Sequence, residues 1–111
     1  MASDDDFSRQ LEAFNVEYRQ SLPERIRDIE SLWASLRQEG VSAERLHALQ
    51  RGLHSIAGSG RTFGMGALSE AAAAADRWLE RYCERVVLPD AAGCGHFDGL
   101  LAAVKRCALS D

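Results

Sequence analysis

Apolar residues recur along this chain at steps of three and four, the spacing that builds one face of an α-helix. Phe7, Leu11, Phe14 and Tyr18 form the first stripe, and Ser3 with Asp4 to Asp6 suits its N-cap and first turn. Pro23 stands where a new helix can begin, with Ile26, Ile29, Trp33 and Leu36 as its stripe and Gly40 as its end. Ser42, with Arg45 close behind, opens a third segment carrying Leu46, Leu49, Leu53 and Ile56. The fourth carries Leu68, Ala72, Ala75, Leu79, Tyr82 and Val86. Pro89 to Gly95 breaks the composition and reads as a loop, and Phe97, Leu101, Val104 and Ala108 mark the last segment. No stretch alternates with period two.

Five helices with short connections predict an all-α fold in which neighbours run antiparallel. The four segments from Pro23 onward make an up-down four-helix bundle, and an additional short N-terminal helix lies across one end. Residues 1–111 read as a single domain without internal repeat or linker. The alanine run 71–75 favours helix and lets a neighbouring backbone approach closely.

Composition narrows the classes. At 46% hydrophobic over 111 residues the chain is globular, and its net charge of −4 speaks against a uniformly basic face for nucleic acid. No apolar run approaches the roughly 20 residues that span a membrane. The N-terminus lacks the basic-then-apolar pattern of a signal peptide. Cys83, Cys94 and Cys107 are odd in number and widely spaced, which suits a reducing compartment rather than a disulfide framework. A cytoplasmic monomer is the expectation, and the full set of helices after Met1 favours a free-standing protein.

One stretch does not fit a plain amphipathic helix. LHSIAGSGRTFG, residues 53–64, continues the third stripe yet holds Gly58, Gly60 and Gly64. A glycine inside a helix costs about 1 kcal/mol relative to alanine. At about 100° per residue, Gly60 falls with Leu49, Leu53 and Ile56 on the core face, where it permits tight helix packing. His54 falls more than about 100° from the centre of that face and points into solvent. His47 and Arg61 lie seven residues either side of it, Gln50 and Gly58 four, Arg51 and Ala57 three. Small residues beside an exposed imidazole allow a large partner to come close, and Gly64 ends the helix or shapes the following turn.

An imidazole, with an ordinary pKa of about 6.5, is a competent nucleophile near neutral pH. Phosphoryl transfer asks mostly for in-line positioning and neutralised charge, and a forked Arg holds phosphate oxygens. His54 is thus the candidate phosphoryl acceptor, with Arg61 and Arg51 as its cations.

The string His54-Ser-Ile-Ala-Gly58-Ser59-Gly60, followed by Gly64 and Leu68, resembles the signature of the histidine-containing phosphotransfer (HPt) family. Leu22-Pro23-Glu24-Arg25 at the head of a long helix is also similar to that family, as is the helical pattern over nearly the whole chain. The resemblance implies a phosphocarrier with His54 as its phosphorylation site and Gly58 as its close-approach glycine. Many members have Lys where this chain has Ala57, and Arg61 is expected to take part of that role. Further implications are partnership with response-regulator receiver domains and a hybrid histidine kinase, no ATP-dependent kinase activity of its own, and no cofactor, any Mg²⁺ belonging to the receiver. The competing function is a non-catalytic helical adaptor that binds a receiver or kinase without carrying phosphate.

Other features read more simply. His47 reads as a solvated neighbour within the docking or phosphoryl-stabilising set formed with Gln50, Arg51, Ala57, Gly58 and Arg61. One Cys94-x-His96 pair cannot fill a four-ligand zinc site. Gly58-x-Gly60-x-x-x-Gly64 follows no strand and lacks the lysine of a phosphate-binding loop. Trp33 and Trp78 are packing residues. Glu70 and Asp76 form no convincing acid–base pair.

Overall fold

The computed structural model describes residues 2–110, with side chains from Asp5 onward. Four helices follow one another: α1 (Ala2–Glu39), α2 (Ala43–Thr62), α3 (Gly66–Arg85) and α4 (Ala91–Leu109). There is no strand among the described residues. α1 packs on α2 and α4, and α3 packs on α2 and α4, so the helices close a ring around one core. The short connections make successive helices antiparallel.

The separate N-terminal helix expected across one end is not present. α1 runs through Pro23 as a single helix of 38 residues, about 57 Å at 1.5 Å per residue. The reason is the seam. Tyr18, Leu22, Ile26, Ile29, Trp33 and Leu36 keep helical step across the proline, and all are buried. Pro23 removes one backbone donor at a cost of about 3 kcal/mol. Burying Tyr18 and Leu22 in the same seam offsets this at about 1.5–3 kcal/mol each. Above Tyr18 the helix outruns its neighbours: Phe7, Leu11 and Phe14 are 67%, 48% and 55% exposed. The expected cap at Ser3 does not mark the start, since the helix already includes Ala2. The side chains of Ser3 and Asp4 lie outside the described set.

α4 also begins earlier than its sequence pattern predicts. The loop expected over residues 89–95 ends at Asp90, whose carboxylate accepts from the Gly93 N–H at 2.8 Å and caps the helix. Gly93 and Gly95 therefore sit inside α4. Space explains the first of them: a Cβ on Gly93 would lie 2.7 Å from Pro89 Cβ.

The core is aliphatic with an aromatic end. Phe97 is fully buried and meets Trp33 edge-on at 4.7 Å and Trp78 stacked at 5.7 Å. Trp33 Nε1–H donates to Asp98 Oδ1 at 2.8 Å, which ties α1 to α4 where the indole would otherwise bury an unpaired donor. The three cysteines are free, and Cys94 Sγ lies 3.5 Å from the Pro89 carbonyl.

Candidate functional site

The middle of α2 is built from two opposed demands. Leu46, Leu49, Leu53, Ile56 and Gly60 face the core. His54, one residue past Leu53, therefore projects from the other side, with 81% of its side chain exposed. Ser42 caps the start of the helix by accepting from the Arg45 N–H. Its end is a Schellman turn: Met65 N–H donates to the Gly60 carbonyl at 2.7 Å and Gly64 N–H to the Arg61 carbonyl at 3.3 Å. Gly64 holds φ +77° at the position where that turn requires a left-handed residue.

The glycines divide as their surroundings dictate. A Cβ on Gly60 would stand 3.3 Å from the Ser69 backbone nitrogen and 3.4 Å from the Met65 carbonyl oxygen, so its absence lets α3 lie against α2. A Cβ on Gly58 would meet nothing within 4 Å. No contact among the described residues requires Gly58. Two hydroxyls complete the packing behind the site. Ser69, buried on α3, donates to the Ala57 carbonyl at 2.5 Å. Ser59 donates to the Ser55 carbonyl at 2.7 Å and shares a 2.7 Å hydrogen bond with the Tyr18 hydroxyl, joining α1 to α2.

This close α2–α3 pairing brings a short acidic side chain to the histidine. Asp76 Oδ2 lies 3.0 Å from His54 Nδ1, and Asp76 is itself only 17% exposed. A carboxylate only accepts, so the proton of this hydrogen bond sits on Nδ1, and in the neutral ring Nε2 presents its lone pair to solvent. The imidazole is thus oriented from behind and bare at its tip.

Two open hollows flank the ring. The larger, about 640 Å³, is lined by Gln50, Arg51, Ser55, Asp76, Arg77 and Glu80 together with His54. The smaller, about 440 Å³, lies on the Gly58 side and adds Ala57, Arg61 and Ala73. The geometry therefore gathers Gln50, Arg51, Ala57, Gly58 and Arg61 around His54. His47 is exposed on the same helix but lines neither hollow. Ser59, Gly60 and Gly64 act behind the site. Ala57 is half-buried against the core and offers only a methyl group.

The α3 side of the site, Ala73, Asp76, Arg77 and Glu80, is one to which the α2 pattern gave no pointer; Asp76 and Arg77 line both hollows. The signal in the sequence was slight. Asp76 directly follows Ala75, a core position, so it sits at the margin of the buried face. Which residue of α2 it meets depends on the register between two helices, which spacing along one helix does not give.

No group of three or more His, Cys, Asp or Glu residues suited to a metal occurs among the described residues. His96 packs beside the Trp78 ring at 5.1 Å. Behind the site, burial together with the carboxylates of Asp76, Glu80 and Glu84 pushes the Cys83 thiol above its ordinary pKa of 9.0.

A ring of four helices presenting an anchored, solvent-facing imidazole at mid-helix defines a class of protein in which a histidine is offered to a partner. The family model of the Hpt domain matches residues 16–107, and the chain belongs to that family. Hpt domains are phosphotransfer-type domains of two-component systems, carriers rather than kinases, and meet receiver domains and kinases in phosphorelays. The matched span takes in the buried residues from Tyr18 to Val104, and leaves out Phe7, Leu11 and Phe14. Comparisons with curated proteins and with solved structures gave no match. No helix among the described residues is long and apolar enough to cross a membrane.

Proposed function

We propose that this protein is the histidine phosphocarrier of a phosphorelay, and that His54 Nε2 is the atom that carries the phosphoryl group. The observation that supports this most directly is the Nδ1–Asp76 hydrogen bond on an otherwise exposed ring. The Nε2 lone pair attacks the phosphorus of a receiver's phosphoaspartate. A P–N bond forms as the acyl P–O bond breaks, and the electron pair of that bond leaves with the receiver's carboxylate. The Nδ1 proton stays in place. The ring becomes cationic on phosphorylation, and the Asp76 carboxylate balances that charge. The reverse attack by another receiver's aspartate discharges it. Any Mg²⁺ belongs to the receiver, and the carrier acts as a cytoplasmic monomer.

Docking is supported by the shape around the ring. Gly58 leaves an unfilled approach on the C-terminal side of His54, and Gln50 lies on the N-terminal side. The test is transfer from phosphorylated receiver domains to wild type and to His54→Gln. Acid-labile, alkali-stable phosphate on wild type alone is the expected result. Binding of both proteins with phosphate on neither overturns the carrier and leaves the adaptor.

A further inference from the structure

Between His54 and Arg61, α2 offers Ser55, Ile56, Ala57, Gly58, Ser59 and Gly60, none of them charged. A phosphoryl group on His54 brings about two negative charges to a spot where its own helix holds no cation within the next turn. Arg51 lines only the larger hollow and Arg61 only the smaller. Arg77, on α3, lines both. It follows Asp76 directly in sequence, and Asp76 and Arg77 both line the two hollows. Glu80 is the helix-face neighbour of both, four residues past Asp76 and three past Arg77. Arg77 forms no ion pair among the described residues, not even with Glu80 one turn away, and its guanidinium is uncommitted.

We infer that Arg77 is the phosphoryl-holding cation of this carrier, supplied across the groove from α3. The inference rests on the phosphocarrier function of His54. Its guanidinium fork donates N–H groups to the equatorial oxygens of the transferring phosphoryl group and keeps all its protons. Position 57 is then free to be small and half-buried, because the charge arrives from the facing helix. Asp76 and Arg77 form a matched pair: one carboxylate for the ring cation, one guanidinium for the phosphoryl anion. Arg61, seven residues from His54, is secondary.

The test uses the full chain and a receiver domain, charged with acetyl phosphate and Mg²⁺, that transfers to wild type. Transfer rates are measured at limiting and saturating receiver for wild type, Arg77→Ala, Arg77→Lys and Arg61→Ala, with circular dichroism as a check on folding. The expected result is a fall of about tenfold at saturating receiver for Arg77→Ala, smaller than for an enclosed oxyanion site because this groove is open. Arg77→Lys recovers part of the loss because it keeps the charge without the fork. Arg61→Ala loses less than Arg77→Ala. An Arg77→Ala protein that transfers at the wild-type saturated rate, or that loses only receiver affinity, overturns the role of Arg77 while leaving His54 as the carrier. A wild type that accepts no phosphoryl group from any receiver overturns the carrier itself.

Discussion

Asp76→Asn isolates the charge behind the histidine. Asparagine is close in shape and its Oδ1 still accepts from Nδ1–H, so ring orientation survives and only the negative charge is lost. A hydrogen bond involving a charged group contributes about 1.5–3 kcal/mol. Here one partner is 81% exposed and the other 17% exposed, so water screens much of the charge term. About 1 kcal/mol remains for balancing the ring cation that forms on phosphorylation. At a factor of ten per 1.36 kcal/mol, Asp76→Asn slows transfer from a saturating phosphorylated receiver about fivefold. Asp76→Ala also frees the tautomer and the ring angle, and slows transfer about tenfold or more. Rapid-quench measurement of label leaving the receiver gives the rates, and nitrogen NMR of the His54 ring reports the tautomer. Wild-type rates in both variants, with Nδ1 still protonated in the alanine protein, would refute the positioning argument.

Further outcomes concern packing and pH. Gly60→Ala and Gly58→Ala should move stability in opposite directions. The first forces a Cβ against the Ser69 and Met65 backbone and costs about 1–3 kcal/mol despite its better helix propensity, while the second meets nothing and gains up to about 1 kcal/mol. Urea unfolding separates them, and Gly58→Trp should leave the fold intact but slow transfer by blocking the partner. Because the Cys83 thiol titrates above 9.0 when folded, the unfolded chain releases that proton first as pH rises. The protein should lose stability from about pH 9 upward, and Cys83→Ala should flatten that slope in urea titrations at stepped pH. Replacing Phe7, Leu11 and Phe14 together by Gln should leave Tm unchanged within error, since all three are exposed. Tyr18→Ala removes the stacked contact with Phe63 at 4.6 Å and the Ser59 hydrogen bond, and should cost about 3 kcal/mol.

Much of the bundle was legible because each buried face is set by its own local spacing. Leu46, Leu49, Leu53 and Ile56 fix one side of α2, and the exposure of His54 follows from them. The continuity of α1 through Pro23 was not legible, because a proline at a helix start and a proline in a helix held by its neighbours look alike in sequence. Only the seam from Tyr18 through Leu22 to Ile26 distinguishes them, and its weight depends on what packs against it. The start of α4 is hidden in the sequence because Gly93 and Gly95 resemble a loop, whereas the Asp90 cap and the crowding against Pro89 govern there. Asp76 and Arg77 were not legible at all as partners of His54. Their role depends on the register of α3 against α2, set by Gly60 and by the Ser69 hydrogen bond to Ala57.

The most direct test of the central claim is nitrogen and phosphorus NMR of the wild-type protein before and after exposure to a phosphorylated receiver. The expected result is a single phosphoryl group on His54 Nε2, with Nδ1 still protonated and its resonance altered in Asp76→Asn. A phosphoryl group on Nδ1, on another residue, or on none would contradict it.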